Sequence, residues 1–139
     1  MISLQFIDTE VLSKEMSGVK EWINNFVKSY DKEVGELYYF FCSDEYLYKM
    51  NVDLLGHDFY TDIITFPLNE CETILSAEFH ISIDRIKENA ITFERSFKDE
   101  LHRVMAHGVL HLIGFDDLCK EDELEMRKQE DKCLLMRIN

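Results

Sequence analysis

The chain has 139 residues, of which 46% are hydrophobic and 31% charged, with one proline and five glycines. This length and composition exclude a collagen-like, low-complexity or wholly disordered chain and fit one globular domain over residues 1–139. The 28 acidic residues against 15 basic ones give a formal net charge of -13, which argues against a broad basic surface for nucleic acid. Any contact with RNA or DNA would need a local basic patch, a metal ion or a basic partner protein.

The cysteines and the N-terminal segment indicate where the protein resides. No two cysteines form a C-x-x-C pair, and their wide spacing matches neither a zinc ribbon nor a disulfide framework, so we expect reduced thiols. The first ten residues lack the basic and apolar regions of a signal peptide, and no apolar run reaches the roughly 18 residues of a membrane helix. We therefore expect a cytoplasmic protein without a membrane span. The four cysteines are Cys42, Cys71, Cys119 and Cys133.

The apolar residues of the N-terminal half predict strands alternating with helices. Alternation over residues 2–6 is typical of a half-buried strand, whereas the spacing over residues 19–30 is that of an amphipathic helix. A nearly continuous apolar run at 37–42 predicts a buried strand. Ser43, followed by two acidic residues, predicts the N-cap of a second helix.

The next segment predicts a loop and two strands. Residues 56–61 break the periodicity and predict the loop, after which residues 62–68 are rich in Ile, Thr and Phe and predict a strand. Residues 69–76 form a connection, and the alternation at 77–83 predicts a further strand.

The remainder predicts three helices. Asp84 is the expected N-cap of a short helix, and Ser96 is the expected N-cap of a longer one over residues 97–113. Gly114 is typical of the position just past a helix end. The charged segment 120–136 predicts the last helix. The residues expected to point inward from it are Leu124, Leu134 and Leu135.

The resulting order, β-α-β-α-β-β-α-α-α, predicts an α+β fold. A mixed sheet of about four strands should pack against about five helices. We find no repeat, no linker and no second domain in the sequence.

The helix over residues 97–113 carries a pattern that favours a metal site. His107 and His111 are four residues apart, so their side chains share one helix face with Cβ atoms about 6 Å apart. A turn at Gly114 can bring the side chain of Asp117 back towards that face as a third ligand. Three ligands and one open position are typical of a catalytic zinc site, and we expect one Zn²⁺ per chain.

Two other classes of metalloenzyme share parts of this pattern. In metallopeptidases with the H-E-x-x-H motif, the Glu after the first His is the general base, but Gly108 occupies that position here, which disfavours peptide hydrolysis. Iron oxygenases with two histidines and one carboxylate use the same ligand types. They rank last because both histidines here lie one helical turn apart and precede the acid.

The same segment resembles a known family. Residues 106–117, A-H-G-V-L-H-L-I-G-F-D-D, resemble the H-G-x-L-H-L-x-G-Y-D-H signature of the YbeY family of bacterial ribosomal RNA maturation endoribonucleases. Residues 60–67, Y-T-D-I-I-T-F-P, are similar to the family's P-T-D-V-L-S-F-P strand. Residues 78–82, E-F-H-I-S, are similar to its G-D-I-x-I-S strand without the glycine. The resemblance covers most of the chain from about residue 37 to 117.

The resemblance implies a zincin-like domain that binds zinc through His107, His111 and the position of Asp117, where the family usually has His. A carboxylate also binds zinc. It further implies an endoribonuclease specific for single-stranded RNA, acting in 16S rRNA 3′-end maturation and ribosome quality control. The expected partners are ribosomal RNA and the small ribosomal subunit, with a basic ribosomal protein as a further candidate.

One departure from the family bears on catalysis. The family typically carries an Arg shortly before the Thr-Asp strand, and the matching position here is Leu55. Without that Arg, charge on the transferring phosphoryl group lacks a positive partner, and His57 is the nearest candidate substitute. The alternative function is a ribosome assembly factor that binds the small subunit, with a mainly structural zinc and little nuclease activity.

Overall fold

The chain folds as a four-stranded sheet packed with five helices, over the residues 1–138 that the computed structural model describes. The element order is the predicted β-α-β-α-β-β-α-α-α, and the predicted α+β class is confirmed. The strands are β1 (Ile2–Phe6), β2 (Glu33–Cys42), β3 (Ile63–Pro67) and β4 (Ile74–Ser82). The helices are α1 (Val19–Ser29), α2 (Asp44–Leu55), α3 (Ile83–Thr92), α4 (Phe97–Ile113) and α5 (Lys120–Leu134).

The sheet is mixed, with the strand order β1-β2-β4-β3. β1 and β4 both run parallel to β2, whereas β3 is antiparallel to β4 and forms one edge. The pairing aligns Tyr39 of β2 with Phe79 of β4, and Phe79 with Thr65 of β3. The rings of Tyr39 and Phe79 stack at 4.7 Å, so aromatic packing joins the two central strands on one face.

That face of the sheet forms the main core, and α4 lies on it. The hydroxyl of fully buried Tyr39 donates a hydrogen bond to the Met105 carbonyl of α4 at 3.0 Å. On the opposite face, α2 covers a smaller cluster of Cys42, Leu47 and Ile64. The buried residues of α4 run almost continuously from Glu100 to Leu110, so the helix with the two histidines is fixed along most of its length.

Several element boundaries differ from those predicted. β2 begins at Glu33 and β4 at Ile74, because these two residues pair with each other beyond an irregularity in the ladder. α3 is capped by the hydroxyl of Ser82, which accepts a hydrogen bond from the Arg85 nitrogen at 3.1 Å, so Asp84 is not the cap. Pairing between strands distant in sequence decided where β2 and β4 begin, and a local side-chain hydrogen bond decided the start of α3.

The predicted inward face of α5 is wrong for two of its three leucines. Leu124 and Leu135 are 67% and 86% exposed, and Leu134 is partly buried. The side of the helix that carries Glu130 faces inward instead, because the carboxylate of Glu130 contacts Arg103 and His107 of α4. Apolar residue type alone could not reveal this. The buried residues of α5 are Met126, Glu130 and Cys133.

Neither a membrane-spanning helix nor a disulfide is present in the part of the chain that the structure describes. Within residues 1–138, no helix is both long and apolar enough to cross a bilayer. All four cysteines are free thiols there, with Cys42 and Cys133 buried and Cys71 and Cys119 exposed. The expectation of reduced thiols therefore agrees with the structure.

Gly108 lets α4 approach the sheet closely. A Cβ atom at this position would lie 2.7 Å from the Phe79 ring and 2.9 Å from Cδ1 of Ile63. Both distances are shorter than nonbonded carbon atoms tolerate, and the Phe79 ring is fully buried. Packing against β3 and β4 therefore requires glycine between the two histidines and leaves no room there for the glutamate of a peptidase.

We expect Gly108→Ala to destabilise the protein by about 1–2 kcal/mol. Overpacking of the core costs about 1–3 kcal/mol, and the higher helix propensity of Ala returns at most about 1 kcal/mol. Urea denaturation with a chelator present measures the difference. A double-mutant cycle with Phe79→Leu should show favourable coupling, because the smaller side chain makes room for the methyl group. A more stable Gly108→Ala protein would contradict the close packing.

Candidate metal centre

The histidines lie at the end of a helix with well-defined termini. α4 begins after Ser96, whose hydroxyl accepts a hydrogen bond from the Asp99 nitrogen at 3.1 Å. It ends at Gly114, whose φ of 125° is open to glycine and strained for other residues. The Gly114 nitrogen still donates to the Leu110 carbonyl at 3.1 Å, and the chain then reverses. This reversal returns the following acidic residues towards the last turn of α4.

The structure brings His107, His111 and Asp117 together. The Nε2 atoms of the two histidines lie 3.0 Å apart. Oδ2 of Asp117 lies 3.5 Å from Nε2 of His107 and 3.6 Å from Nε2 of His111. A tetrahedral centre with bonds of about 2.0–2.1 Å has ligand atoms about 3.3–3.4 Å apart. The three potential ligand atoms therefore have the spacing that one zinc ion requires.

One side of the cluster is open to solvent. Both histidines are partly buried, and the Asp117 side chain is 43% exposed. A cleft of about 290 Å³ reaches His107 and Asp117 between α4 and α5, and another of about 280 Å³ reaches His111 beside the β3–β4 connection. A fourth ligand or a substrate can therefore approach, unlike at a closed structural zinc site.

Glu130 orients the first histidine. Its Oε2 lies 2.6 Å from Nδ1 of His107, so Nδ1–H donates to the carboxylate and leaves the lone pair of Nε2 facing the cluster. A carboxylate in this position fixes the tautomer and the ring orientation of a metal-binding histidine. The sequence analysis missed this residue, because a Glu in a highly charged helix carries no pattern that separates it from solvated neighbours.

Arg103 holds Glu130 in place. Its Nη1 donates to Oε1 of Glu130 at 2.9 Å, and its Nε and Nη2 donate to the two carboxylate oxygens of Glu100. Burial by itself raises the pKa of Glu130, but the hydrogen bond from His107 and the charge of Arg103 outweigh it and hold that pKa below its usual value. Glu130 is thereby kept as an anion that can accept both hydrogen bonds.

Two further acids are Asp62 and Asp116. Asp62, just before β3, is partly buried, and loss of solvation raises the pKa of its carboxyl above its usual value, although His107 and Arg103 act in the opposite direction. Asp116 is mostly exposed, with Oδ1 3.9 Å from Nδ1 of His111, too far for a hydrogen bond.

His57 lies apart from these contacts. It is exposed in the loop after α2, where its ring stacks on Phe59 at 5.3 Å and its backbone nitrogen donates to the Asn51 carbonyl at 3.1 Å. The contacts described for residues 1–138 do not join its side chain to the histidine cluster. Its role as a partner of the phosphoryl group stays a prediction.

Comparisons with known proteins cover almost the whole chain. The family model described as Endoribonuclease YbeY matches residues 4–137. A relative of that name from Cytophaga hutchinsonii is 45% identical over 130 residues, which are 94% of this chain and 91% of the relative. Another from Porphyromonas gingivalis strain W83 is 47% identical over 118 residues, or 85% of this chain and 78% of the relative. A third from Flavobacterium johnsoniae is 39% identical over 136 residues, or 98% and 96%.

A solved structure has a similar fold. The solution structure of TM1509 from Thermotoga maritima superposes with a TM-score of 0.72 and 29% sequence identity, covering 98% of this chain and 88% of that one. The residues that match the family model, 4–137, include the three clustered residues and Glu130. The chain therefore shares both fold and sequence with these proteins along nearly all of its length.

Proposed function

The chain belongs to the YbeY family of endoribonucleases, and from this premise we propose that it hydrolyses single-stranded RNA with the help of one bound zinc ion. The observation that carries the proposal is the arrangement of His107, His111 and Asp117, whose facing atoms have tetrahedral spacing and whose outer side is open. Two neutral imidazoles and a carboxylate are ligands that zinc accepts at catalytic sites.

In the proposed mechanism the protein holds the ion and positions the RNA. His107 and His111 would hold a zinc ion through Nε2, and Asp117 would hold it through a carboxylate oxygen. The ion would lower the pKa of water, the nucleophile, and would offer positive charge to the phosphoryl oxygens. Glu130 keeps His107 in the tautomer that can bind metal.

The proposed biological role is ribosomal. We assign the protein to 16S rRNA 3′-end maturation and ribosome quality control in the cytoplasm, with residues 1–139 acting as one domain. Ribosomal RNA and the small ribosomal subunit are the proposed partners. A basic ribosomal protein is a further proposed partner, because it would offset the repulsion between RNA and a chain of net charge -13.

A second function is favoured by one specific observation. Leu55 stands where the family typically has Arg, and Leu55 is 40% exposed without any charge to offer a phosphate. A ribosome assembly factor that binds the small subunit would not need that charge. In this alternative, zinc would stabilise the fold and little nuclease activity would remain.

Metal removal tests the proposal and separates the two functions. Protein purified without chelator should contain about one zinc per chain by elemental analysis, and Asp117→Ala should contain less. Chelation should abolish cleavage of a single-stranded RNA while far-UV circular dichroism stays unchanged, and added zinc should restore cleavage. A folded, zinc-loaded protein without cleavage would support the assembly factor. Absence of stoichiometric metal would reject the zinc mechanism.

A further inference from the structure

The loop between α2 and β3 exposes two adjacent aromatic rings. Phe59 and Tyr60 are 55% and 53% exposed. Each ring is supported by another: Phe59 stacks with His57 at 5.3 Å, and Tyr60 stacks with Tyr48 of α2 at 4.5 Å. We call these two exposed rings with their two supporting rings the aromatic platform. Large exposed aromatic rings in adjacent positions are typical of a binding surface.

The platform is held in one conformation. The side-chain amide of Asn51, a residue that is 2% exposed, donates to the Phe59 carbonyl at 2.9 Å, and the backbone carbonyl of Asn51 accepts from the His57 nitrogen at 3.1 Å. The hydroxyl of Tyr48 donates to the carboxylate of Asp58. The backbone of the loop is thereby tied to α2 at several points, so that a ligand would lose little free energy in ordering it.

The platform lies close along the chain to the point where β3 meets α4. Ile63 follows Tyr60 by three residues and approaches the α4 backbone at Gly108, next to His107. Three residues of extended chain span at most about 10 Å, so one ligand can reach both the platform and the cluster.

One cation lies against the platform. The guanidinium of Arg85 is 5.5 Å from the centroid of the Tyr60 ring, and it also pairs with Asp44 and Glu88. Its Nε is buried and lacks a hydrogen-bond partner in the structure described. Because its charge is already shared with two carboxylates, Arg85 contributes little net attraction for phosphate. The guanidinium makes a cation–π contact with Tyr60 that covers part of the ring, which still remains 53% exposed.

These observations favour a ligand recognised by its flat, uncharged rings. We propose that the aromatic platform binds unpaired bases of the RNA substrate by stacking, next to the site of cleavage. The inference rests on the proposed function. Bases in a duplex are already stacked on one another, so the platform would select single-stranded RNA. It would also explain how a chain of net charge -13 holds RNA without a basic groove.

The experiment measures RNA affinity separately from cleavage. Binding of a fluorescent single-stranded RNA is measured by anisotropy with a chelator present. Phe59→Ala and Tyr60→Ala should each weaken binding about tenfold, because a stacked base contributes about 1–3 kcal/mol. Tyr60→Phe should retain the affinity of the wild type. Phe93→Ala is the matched control, since Phe93 is 53% exposed outside the platform and its loss should change nothing.

A second probe distinguishes bases from phosphates. An RNA of the same length with abasic positions should bind the wild type as weakly as normal RNA binds Tyr60→Ala. The salt dependence of binding should be shallow, because few phosphates are neutralised. Equal affinity for abasic RNA would overturn the stacking assignment.

The outcomes separate the platform from the proposed function. Unchanged affinity in both alanine variants, with normal RNA cleavage by the wild type, would overturn the platform alone. Unchanged RNA affinity together with a wild-type self-association that these variants lose would assign the face to a protein contact and overturn the proposal. A wild type that neither binds nor cleaves single-stranded RNA would overturn both inferences.

Discussion

Replacing His111 by alanine is expected to lower the rate of RNA cleavage by at least about 1000-fold. The substitution removes one of three potential ligands, and a catalytic metal supplies several kcal/mol of transition-state stabilisation, with each 1.4 kcal/mol equal to a tenfold rate. Single-turnover cleavage of a single-stranded RNA at saturating enzyme measures the chemical step. Elemental analysis of the same protein should show a matching loss of zinc.

The fold should survive this substitution. The side chain of His111 is 29% exposed, and its described polar contacts are with His107, Asp116 and Asp117, within the candidate site itself. The far-UV circular dichroism of the chelated variant should therefore match that of the chelated wild type. A variant that loses activity by unfolding would be recognised by this comparison.

Neighbouring acids provide a matched control. Asp117→Asn should lower the zinc content, because an uncharged amide is a poor substitute for a carboxylate ligand. Asp116→Asn should keep it, because the nearest described approach of Asp116 to a histidine nitrogen is 3.9 Å. If the Asp116 variant lost the metal and the Asp117 variant retained it, the ligand assignment would be shifted by one residue. Normal cleavage by a zinc-free His111→Ala protein would refute the mechanism.

Replacing Arg103 by methionine is expected to give the largest loss of stability. The substitution leaves the carboxylates of Glu100 and Glu130 buried without their main partner, and breaking a buried ion pair costs about 3–5 kcal/mol. Arg95 and Arg127 remain 3.9 Å and 3.4 Å from these carboxylates, so we expect the lower end, about 3 kcal/mol. In thermal unfolding with chelator present, the midpoint should fall by about 10 °C.

Removing the whole buried network should cost less than removing the arginine alone. The combined variant Glu100→Gln, Arg103→Met and Glu130→Gln has no buried charge left to desolvate, so part of the lost stability should return. Arg103→Lys should lie between wild type and Arg103→Met, because lysine keeps the charge but not the planar fork that binds Glu100 through two nitrogens. A fully stable Arg103→Met protein would show that the network contributes no net stability.

The same network should tune the metal. Without Arg103, the carboxylate of Glu130 loses the hydrogen bond that holds it against Nδ1 of His107. Loss of an outer-shell partner typically lowers metal affinity or activity by about 10- to 100-fold. The buried charges thus join α4 to α5 and orient His107, the proposed metal ligand.

Much of the fold could be predicted from the sequence because its information is local. Helices and strands such as α1 and β1 could be predicted from the periodicity of their apolar residues, and Ser43, Ser96 and Gly114 mark helix ends through their own side chains or backbone freedom. His107 and His111 could be paired for the same reason, since four residues on a helix always share a face. Asp117 required only the added assumption of a reversal at Gly114.

The tertiary structure decided what depends on partners distant in sequence. Glu130 points inward because Arg103 and His107 on another helix offer it hydrogen bonds, although the residue type predicts a solvated position. Gly108 is required by the Phe79 ring of β4, whereas the sequence analysis could interpret it only as a missing general base. Packing and ion pairing are properties of two surfaces, and one stretch of sequence describes only one of them.

The candidate site likewise has features that local sequence predicts and features that depend on partners distant in sequence. The types of the proposed ligands and their spacing along α4 could be predicted from the sequence, because helix geometry is set by the backbone. The convergence of their atoms at 3.0–3.6 Å and the orientation of His107 by a buried carboxylate became evident only from the three-dimensional structure. These features arise where α4, α5 and the start of β3 meet, and that meeting is fixed by burial of the shared core.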